Sequence, residues 1–265
     1  MIDYHLHTAR CCHATGSLLD YLAEAERKGI DEVGFADHFP LDLLGFQPRN
    51  QVTMDSCELA EYIAEIEELK ITASNLTLKL GIEIDYLPGT EEKLEKLLEK
   101  YSFDFVIGSI HFMDRWDFTH PDYANDYRNH DLEKLYRQYF NLVWSACKSG
   151  LFDIIGHIDV IKKFGYRPEG DLDYLRSETA RLLKNTGICF ELNTAGRDAP
   201  VGEFYPDRRL IEICFAEGVP VTMGSDAHAP EQVGRYYPEA ISELKEAGYR
   251  EVAVFKKRKR NYLLL

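Results

Sequence analysis

Most of the histidines of this chain lie in apolar runs or at the ends of them, where they could bind metal ions. Nine histidines occur among its 265 residues. His5 and His7 alternate in the run 2–7, so a strand there would place both imidazoles on one face, where they could chelate one ion. Five further histidines and two carboxylates follow, most of them where an apolar run ends: His13, His38, Glu83, His111, His157, Asp226 and His228.

A shared metal centre explains these residues better than a separate structural role for each. Neighbouring imidazoles repel one another when they are protonated, and buried polar atoms without partners cost free energy. Divalent ions remove both penalties. Because one zinc or manganese ion takes about three or four protein ligands plus water, two ions would leave ligands over, whereas three would use them all if Glu83 bridges. His120 and His130 lie in a polar insertion and are not assigned to the centre.

A repeating strand–helix pattern must position these residues. Short apolar runs alternate with longer segments of helical period, and no linker interrupts them. This pattern predicts one domain over 1–265, an α/β fold with a TIM-like barrel whose active site lies at the carboxyl ends of the strands, with an insertion at 113–130 over that site. Strands are predicted at 2–7, 32–36, 76–84, 103–110, 154–156, 188–192, 219–223 and 251–255, and helices at 17–29, 55–73, 91–101, 132–148, 172–185, 208–217 and 238–247.

The composition disfavours several classes of protein. A formal charge of −14 argues against a long nucleic acid as a partner, because proteins that bind phosphate backbones present basic surfaces. Hydrophobic residues make up 45% of the chain, and no apolar run approaches the roughly 20 residues that span a bilayer. We therefore expect a soluble, cytoplasmic protein with no membrane partner and with reduced cysteines. The basic run 256–260 is expected on a solvated edge or at a helix start.

The motifs, in their order along the chain, resemble those of the PHP (polymerase and histidinol phosphatase) superfamily. The resemblance rests on His5-Leu6-His7-Thr8, His13, Ala36-Asp37-His38, Gly81-Ile82-Glu83, Gly108-Ser109-Ile110-His111, Gly156-His157-Ile158-Asp159 and Ser225-Asp226-Ala227-His228. The chain is most similar to the histidinol-phosphate phosphatase branch because of its length, the lysines Lys162 and Lys163 after His157, and the segment 191–197.

This resemblance implies a distorted seven-stranded barrel, a trinuclear centre of zinc, manganese or iron, and a small phosphorylated substrate. The implied activity is hydrolysis of L-histidinol phosphate to L-histidinol and phosphate, a step of histidine biosynthesis. By this likeness one ion is bound by His5, His7, Glu83 and Asp226, a second by Glu83, His111 and His157, and a third by His13, His38 and His228.

Hydrolysis of a phosphomonoester needs a nucleophile, neutralisation of the phosphoryl charge and help for the leaving alkoxide. We expect a metal-bound hydroxide between two ions to attack phosphorus in line, with Glu83 as the bridging ligand. Arg197, in a glycine-containing loop, is expected to hold the phosphate through paired N–H groups. Lys162 and Lys163 are weaker candidates for the same contact.

Other residues are expected to support the centre. Asp37 and Asp159 each stand beside a candidate ligand, where a carboxylate orients an imidazole or caps a helix. The insertion could close over an imidazole-bearing substrate with its aromatic side chains, which include Trp116, Phe118, Tyr123 and Tyr127.

Three alternative functions remain open at this point. The same metal motifs would serve a phosphoesterase that acts on a phosphotyrosyl protein, a nucleotide or an oligonucleotide end. An amidohydrolase-type barrel also begins with two alternating histidines, but it usually carries a carboxylated lysine, and no lysine ends the fourth strand here. A non-catalytic metal-binding module is disfavoured, because structural zinc sites are closed by four protein ligands.

Overall fold

The fold is a nearly closed barrel of parallel strands. The computed structural model describes residues 1–72 and 76–265. Its strands are β1 (Ile2–Leu6), β2 (Glu32–Phe35), β3 (Thr77–Asp85), β4 (Phe105–Ser109), β5 (Phe112–Met113), β6 (Trp116–Asp117), β7 (Ile154–Ile155), β8 (Cys189–Asn193), β9 (Val221–Gly224), β10 (Glu251–Lys256) and β11 (Lys259–Leu264). Seven of them form one parallel sheet in the order β1-β2-β3-β4-β7-β8-β9. An isolated parallel bridge from Leu6 to Ala227 joins its two edges, which confirms the predicted barrel.

Amphipathic helices cover the outside of the barrel. They are α1 (Leu18–Arg27), α2 (Leu59–Thr72), α3 (Glu91–Leu98), α4 (Leu132–Ser149), α5 (Asp173–Thr186), α6 (Arg208–Glu217) and α7 (Tyr237–Ala247). The predicted capping box is present at α1, where the Ser17 hydroxyl accepts from Asp20 N and the Asp20 carboxylate accepts from Ser17 N. Within the described ranges, no helix is long and apolar enough to cross a membrane.

Two segments differ from the sequence prediction. The helix expected at 55–73 begins only at Leu59, because Asp55 N donates to Glu58 Oε2 (2.9 Å) in a turn before it; position 73 lies outside the described residues. The insertion between β4 and α4 folds as the hairpin β5–β6 followed by a 3₁₀ segment, Pro121–Asn129.

The strand predicted at 251–255 forms, but it does not belong to the barrel. β10 pairs antiparallel with β11 in a separate two-stranded hairpin, because the closure between β1 and β9 leaves no barrel edge for it. The turn residues Lys257 and Arg258 both have left-handed backbones, with φ of 51° and 62°. The basic run thus lies on a hairpin, which excludes the helix start that was one of its two predicted settings.

The floor of the barrel is packed around one aromatic ring. Phe105 is fully buried and stacks on Tyr4 with the ring centroids 4.7 Å apart. Two neighbouring strands contribute Gly34 and Gly81 where the ring passes, and a β carbon on either would lie within 3.0 Å of ring atoms. The glycines of β2 and β3 therefore make room for Phe105.

We expect Gly81→Ala to lower the free energy of unfolding by about 1–3 kcal/mol, since the added carbon overpacks the core. That carbon would lie 2.2 Å from the Phe105 ring. Urea denaturation of the two proteins measures the difference. Gly170→Ala is the matched control, because its β carbon would have no atom within 4 Å. Equal losses in the two variants would contradict the packing argument.

Asp104 ties the hairpin to the barrel. Its Oδ1 accepts from Lys257 N (3.1 Å), and its backbone oxygen accepts from Arg258 N (2.8 Å). Its Oδ2 accepts from Lys70 Nζ (2.7 Å) and Leu80 N (3.1 Å). Burial alone would raise the pKa of Asp104, but these hydrogen bonds outweigh it and hold the pKa below its ordinary 3.8.

The pKa of Asp104 is lower in the folded protein than in the unfolded chain. The ionised carboxylate therefore stabilises the fold fully above pH 3.8, and this stabilisation disappears as the pH falls through the pKa of the folded protein. We expect Asp104→Asn to lower the free energy of unfolding by about 1–3 kcal/mol at pH 7. The difference in the free energy of unfolding between the variant and the parent protein should become smaller below about pH 4. Denaturation curves from pH 3 to 7 measure it, with the exposed Glu68→Gln as control. A gap independent of pH would contradict the proposed role of the charge.

Candidate metal centre

The nine candidate ligands converge at one end of the barrel. The imidazole rings of His7 and His228 are 4.1 Å apart between centroids, and those of His7 and His38 are 4.4 Å apart. His13 lies 4.5 Å from His228 by the same measure, and His111 lies 4.8 Å from His157. Six parallel strands carry these residues near or beyond their carboxyl ends, as the barrel prediction requires.

Glu83, on β3, stands in the middle of the cluster with its two oxygens facing different histidines. Oε2 lies 3.0 Å from His38 Nδ1 and 3.3 Å from His5 Nε2. Oε1 lies 2.9 Å from His157 Nε2 and 3.8 Å from His111 Nε2. A carboxylate in this position can bind one ion with each oxygen.

Asp226 approaches the same cluster from the opposite edge of the sheet. Its Oδ1 lies 3.2 Å from His7 Nε2, 3.4 Å from His228 Nδ1 and 4.0 Å from His5 Nε2. Asp226 and His157 both have positive φ, 52° and 21°, a conformation that costs free energy for residues other than glycine. Their backbone strain lies where the side chains meet the cluster.

The donor set fits divalent ions. The Nε2 atoms of His5, His7 and His228 and the Oε2 atom of Glu83 are buried without a hydrogen bond among the described residues. Such atoms are costly unless something binds them. Several triples of ligand atoms lie within 4.8 Å of one another, including His5–His7–Glu83 and His7–His38–His228.

The pKa values of the clustered side chains shift in both directions. Burial opposes the charge on Glu83, but the surrounding histidines His38, His5 and His111 hold its pKa well below the ordinary value. Burial, together with the neighbouring imidazoles, lowers the pKa of His13 to about 4. Glu83 and His13 therefore take the ionised and neutral forms that bind metal. Nearby carboxylates, in contrast, outweigh burial and raise the pKa of His7 and of His111 to about 9, so an ion that binds these two imidazoles displaces protons.

A cavity of about 650 Å³ opens above the cluster. Its floor includes seven of the candidate ligands, and its walls come from the loops after several strands. Lys163 lines it as well, and among the described residues no carboxylate lies within 4.0 Å of its ammonium group. Burial lowers the pKa of Lys163, while the charges of Asp226 and Asp117 oppose that change.

Comparison with known proteins identifies the family. The family model described as "PHP domain" matches residues 3–195. The chain belongs to the PHP family. A second model, described as "PHP-associated", matches residues 208–246, which include α6 and most of α7.

Several relatives of this PHP protein match along nearly its whole length. A protein named "probable histidinol-phosphatase" from Deinococcus radiodurans is 39% identical over 98% of both chains. The histidinol-phosphatase of Bacillus subtilis is 28% identical over 89% of this chain and 96% of its own. A crystal structure of histidinol phosphate phosphatase from Lactococcus lactis, complexed with zinc, L-histidinol and phosphate, superposes with a TM-score of 0.83 at 22% identity, covering 98% of each chain. That likeness shows the fold.

Carbonyl and carboxylate groups orient the imidazoles of this PHP protein. Asp37 was predicted for such a role, and its Oδ1 lies 3.4 Å from His7 Nδ1. The sequence reasoning missed the others, of which Glu191 Oε1 lies 2.7 Å from His5 Nδ1, Asp85 Oδ1 lies 3.0 Å from His111 Nδ1, and Cys11 O lies 2.8 Å from His13 Nδ1. Such contacts fix ring orientation and leave the other nitrogen for a ligand. The missed signal was alternation, because Asp85 follows Glu83 by two residues and so shares its face of β3.

Asp159 does not orient an imidazole. Its carboxylate lies 2.9 Å from Lys162 Nζ and accepts a hydrogen bond from Asp207 N (2.8 Å). Burial raises the pKa of Asp159 to about 6, although the Lys162 ammonium opposes the rise. Asp159 therefore holds the loop after β7 against the start of α6.

Two of the three cations predicted for the phosphate, Arg197 and Lys162, do not line the cavity of this PHP protein. Lys162 is buried in its ion pair and also donates to Phe204 O (2.7 Å). Arg197 is exposed, donates to Gly202 O (3.3 Å), and lies over the ring of Phe204 at 5.4 Å. The 3₁₀ turn Val160–Lys162 directs Lys162 inward, and the next residue, Lys163, meets the cavity instead.

The insertion does line the cavity, but with other residues than those predicted. Its wall residues are Asp117, Thr119, His120, Pro121 and Asp122. The four predicted aromatic side chains, Trp116, Phe118, Tyr123 and Tyr127, are not among the lining residues. Phe118 and Tyr127 are buried in the core beneath the insertion, and Trp116 stacks on His130 at 4.7 Å. Phe118 packs on Tyr139 of α4 and Tyr127 stacks on Tyr166, so these two side chains pack the insertion against the rest of the molecule.

Proposed function

We propose that this PHP protein is a metal-dependent phosphomonoesterase that hydrolyses L-histidinol phosphate to L-histidinol and phosphate. The observation that carries the proposal is the convergence of His, Asp and Glu ligands around Glu83 beneath a cavity that holds a single lysine without an ion pair among the described residues. The relatives named histidinol-phosphatase, which match over 98% and 89% of this chain, support the substrate. The cavity volume of about 650 Å³ suits a small substrate.

Three divalent ions fit the residues present. One would be held by His5, His7, Glu83 and Asp226, a second by Glu83, His111 and His157, and a third by His13, His38 and His228. When bound, the ions supply a water of lowered pKa and neutralise charge on the phosphoryl oxygens. They would also bring positive charge to the mouth of a chain whose formal charge is −14.

The chain's own residues supply the rest of the site. Glu83 keeps two groups of histidines at fixed separation, and Glu191 and Asp85 fix the ring orientations of His5 and His111. Lys163 places a cation in the cavity, where it would hold a phosphoryl oxygen of the substrate. Because Glu83 and Asp85 on β3 and Glu191 on β8 are held by buried strands, these three carboxylates need little rearrangement on binding.

Phosphate release from L-histidinol phosphate tests the proposal. We would compare L-histidinol phosphate with an aryl phosphate and a nucleoside monophosphate, and count bound zinc, manganese and iron in the same sample. We expect selective release from L-histidinol phosphate and about three ions per chain. Three ions with selectivity for another phosphate would keep the phosphoesterase and overturn the substrate, whereas a failure to bind metal would overturn the mechanism.

Substitution of the cavity lysine is expected to weaken substrate binding. Lys163→Met should raise the KM for L-histidinol phosphate by about 10- to 100-fold, as expected for loss of a charged contact in a desolvated site. Arg197→Met is the matched comparison, since that side chain is exposed outside the cavity. Steady-state kinetics measures both. If Arg197→Met raises KM and Lys163→Met does not, the phosphate contact belongs to Arg197.

A further inference from the structure

One buried carboxylate in the cavity wall lacks the partners that the others have. Eight carboxylates are buried in the described part of the chain: Asp3, Asp37, Glu83, Asp85, Asp104, Asp117, Asp159 and Glu191. Six of them have a lysine or histidine nitrogen within 4.0 Å. Asp3 has none, but both of its oxygens accept backbone N–H groups. Asp117 is the exception.

The hydrogen bonds of Asp117 all go to one oxygen. Oδ1 accepts from Thr119 N (3.1 Å), Thr119 Oγ1 (2.9 Å) and His120 N (3.1 Å). Within 1–72 and 76–265, no donor reaches Oδ2 and no cationic side chain lies within 4.0 Å. The turn therefore fixes this carboxylate in place and leaves its second oxygen, on the cavity wall, for a ligand.

Asp117 stands next to the candidate metal centre. On the hairpin β5–β6 it pairs with Phe112, and the following residue, Phe118, donates its N–H to the backbone oxygen of His111 (3.2 Å). Asp117 lies on the wall that separates the main cavity from a second cavity in the insertion. The negative charge of Asp117 acts to raise the pKa of both His111 and Lys163. The cavity therefore carries a negative group and a positive group on different walls.

We propose that Asp117 binds the ammonium group of the substrate's alcohol portion and so selects amino-alcohol phosphates. The inference rests on the proposed function, because it places the phosphate at the metal centre and Lys163. An ammonium is the better match than an imidazolium, since an amine keeps its proton at neutral pH more fully than an imidazole does. Its N–H groups would donate to Oδ2, and its positive charge would pair with the carboxylate.

Binding of the product alcohol tests the inference without any turnover. We would titrate L-histidinol, and its analogue without the amine, 3-(imidazol-4-yl)propan-1-ol, into the metal-loaded protein by calorimetry. Asp117→Asn keeps an oxygen that can accept from Thr119 and His120 but removes the charge. We expect it to weaken L-histidinol binding by at least about 10-fold, as for a lost charged hydrogen bond, and to weaken the analogue far less. Asp122→Asn, an exposed carboxylate on the same cavity, is the control.

The outcomes separate the inference from the function. Equal weakening of both ligands by Asp117→Asn, an equal effect of Asp122→Asn, or no preference of the parent protein for L-histidinol over its analogue would each overturn the role of Asp117. A selective effect on L-histidinol in a protein that releases no phosphate from L-histidinol phosphate would overturn the proposed reaction and keep the ammonium site. In an active enzyme, Asp117→Asn should also lower the ratio of kcat/KM for L-histidinol phosphate to that for an aryl phosphate by about 10-fold.

Discussion

Glu83→Gln is expected to reduce phosphate release by more than about 100-fold, because even residues that only orient a metal ligand contribute 10- to 100-fold. The amide keeps the size of the side chain but loses the charge that two groups of histidines share. Its oxygen and nitrogen cannot both accept, so one side of the cluster loses its contact with residue 83. Bound metal per chain, measured by mass spectrometry, should fall together with the rate.

The barrel itself should survive this substitution. Glu83 stands above a core of buried apolar side chains that it does not help to pack, so circular dichroism should stay near that of the parent protein, and the thermal midpoint should fall no further than that of the metal-free parent protein. Glu95→Gln, on the exposed face of α3, is the matched control. A variant that unfolds while retaining its ions and its rate per folded molecule would show that Glu83 is structural.

Removal of bound metal is expected to abolish activity and to lower the thermal midpoint by about 10 °C. A ligand present at 1,000 times its dissociation constant stabilises the folded state by about 4 kcal/mol, and for a chain of this size each kcal/mol corresponds to about 2–4 °C. The physical reason is the set of buried Nε2 atoms of His5, His7 and His228, which have no hydrogen-bond partner among the described residues. Calorimetry of the chelated and reloaded protein measures the shift.

The reloading series also separates the cluster from adventitious surface binding. Activity should return in step with the last ions bound, and zinc, manganese and iron(II) can be compared under identical conditions. His120→Gln is a suitable control, because that histidine lines the cavity away from the cluster and contacts Asn50 Nδ2 at 2.9 Å. Full activity in a protein shown to contain no divalent ion would contradict the proposed mechanism.

The sequence predicted the regular secondary structure of this molecule and the residues that it positions. Strand alternation placed His5 and His7 on one face, and the shared direction of barrel strands brought their ends together, so residues as far apart as His7 and Asp226 could be assigned to one cluster. Both inferences depend on regular secondary structure, whose geometry is nearly independent of context.

The parts that sequence could not predict depend on irregular backbone. Whether Lys162 or Lys163 meets the cavity is decided by a three-residue 3₁₀ turn, which no periodic pattern reveals. The hairpin turn at Lys257 and Arg258 adopts left-handed conformations that usually carry asparagine or glycine, so the basic run gave no turn signal. The unpartnered oxygen of Asp117 likewise follows from a local turn through Thr119 and His120.

The contacts between β1 and the segment after β9, which close the barrel, have a consequence for how the molecule is made in the cell. Ser225 N donates to Asp3 Oδ1 across 222 positions of sequence, and the Leu6–Ala227 bridge joins the same two edges. Contacts of such long range form late, because loop-closure entropy opposes them. During translation His5 and His7 leave the ribosome long before Asp226 is synthesised. A growing chain therefore cannot assemble the complete site, and enzymatic competence arrives only with the last quarter of the polypeptide.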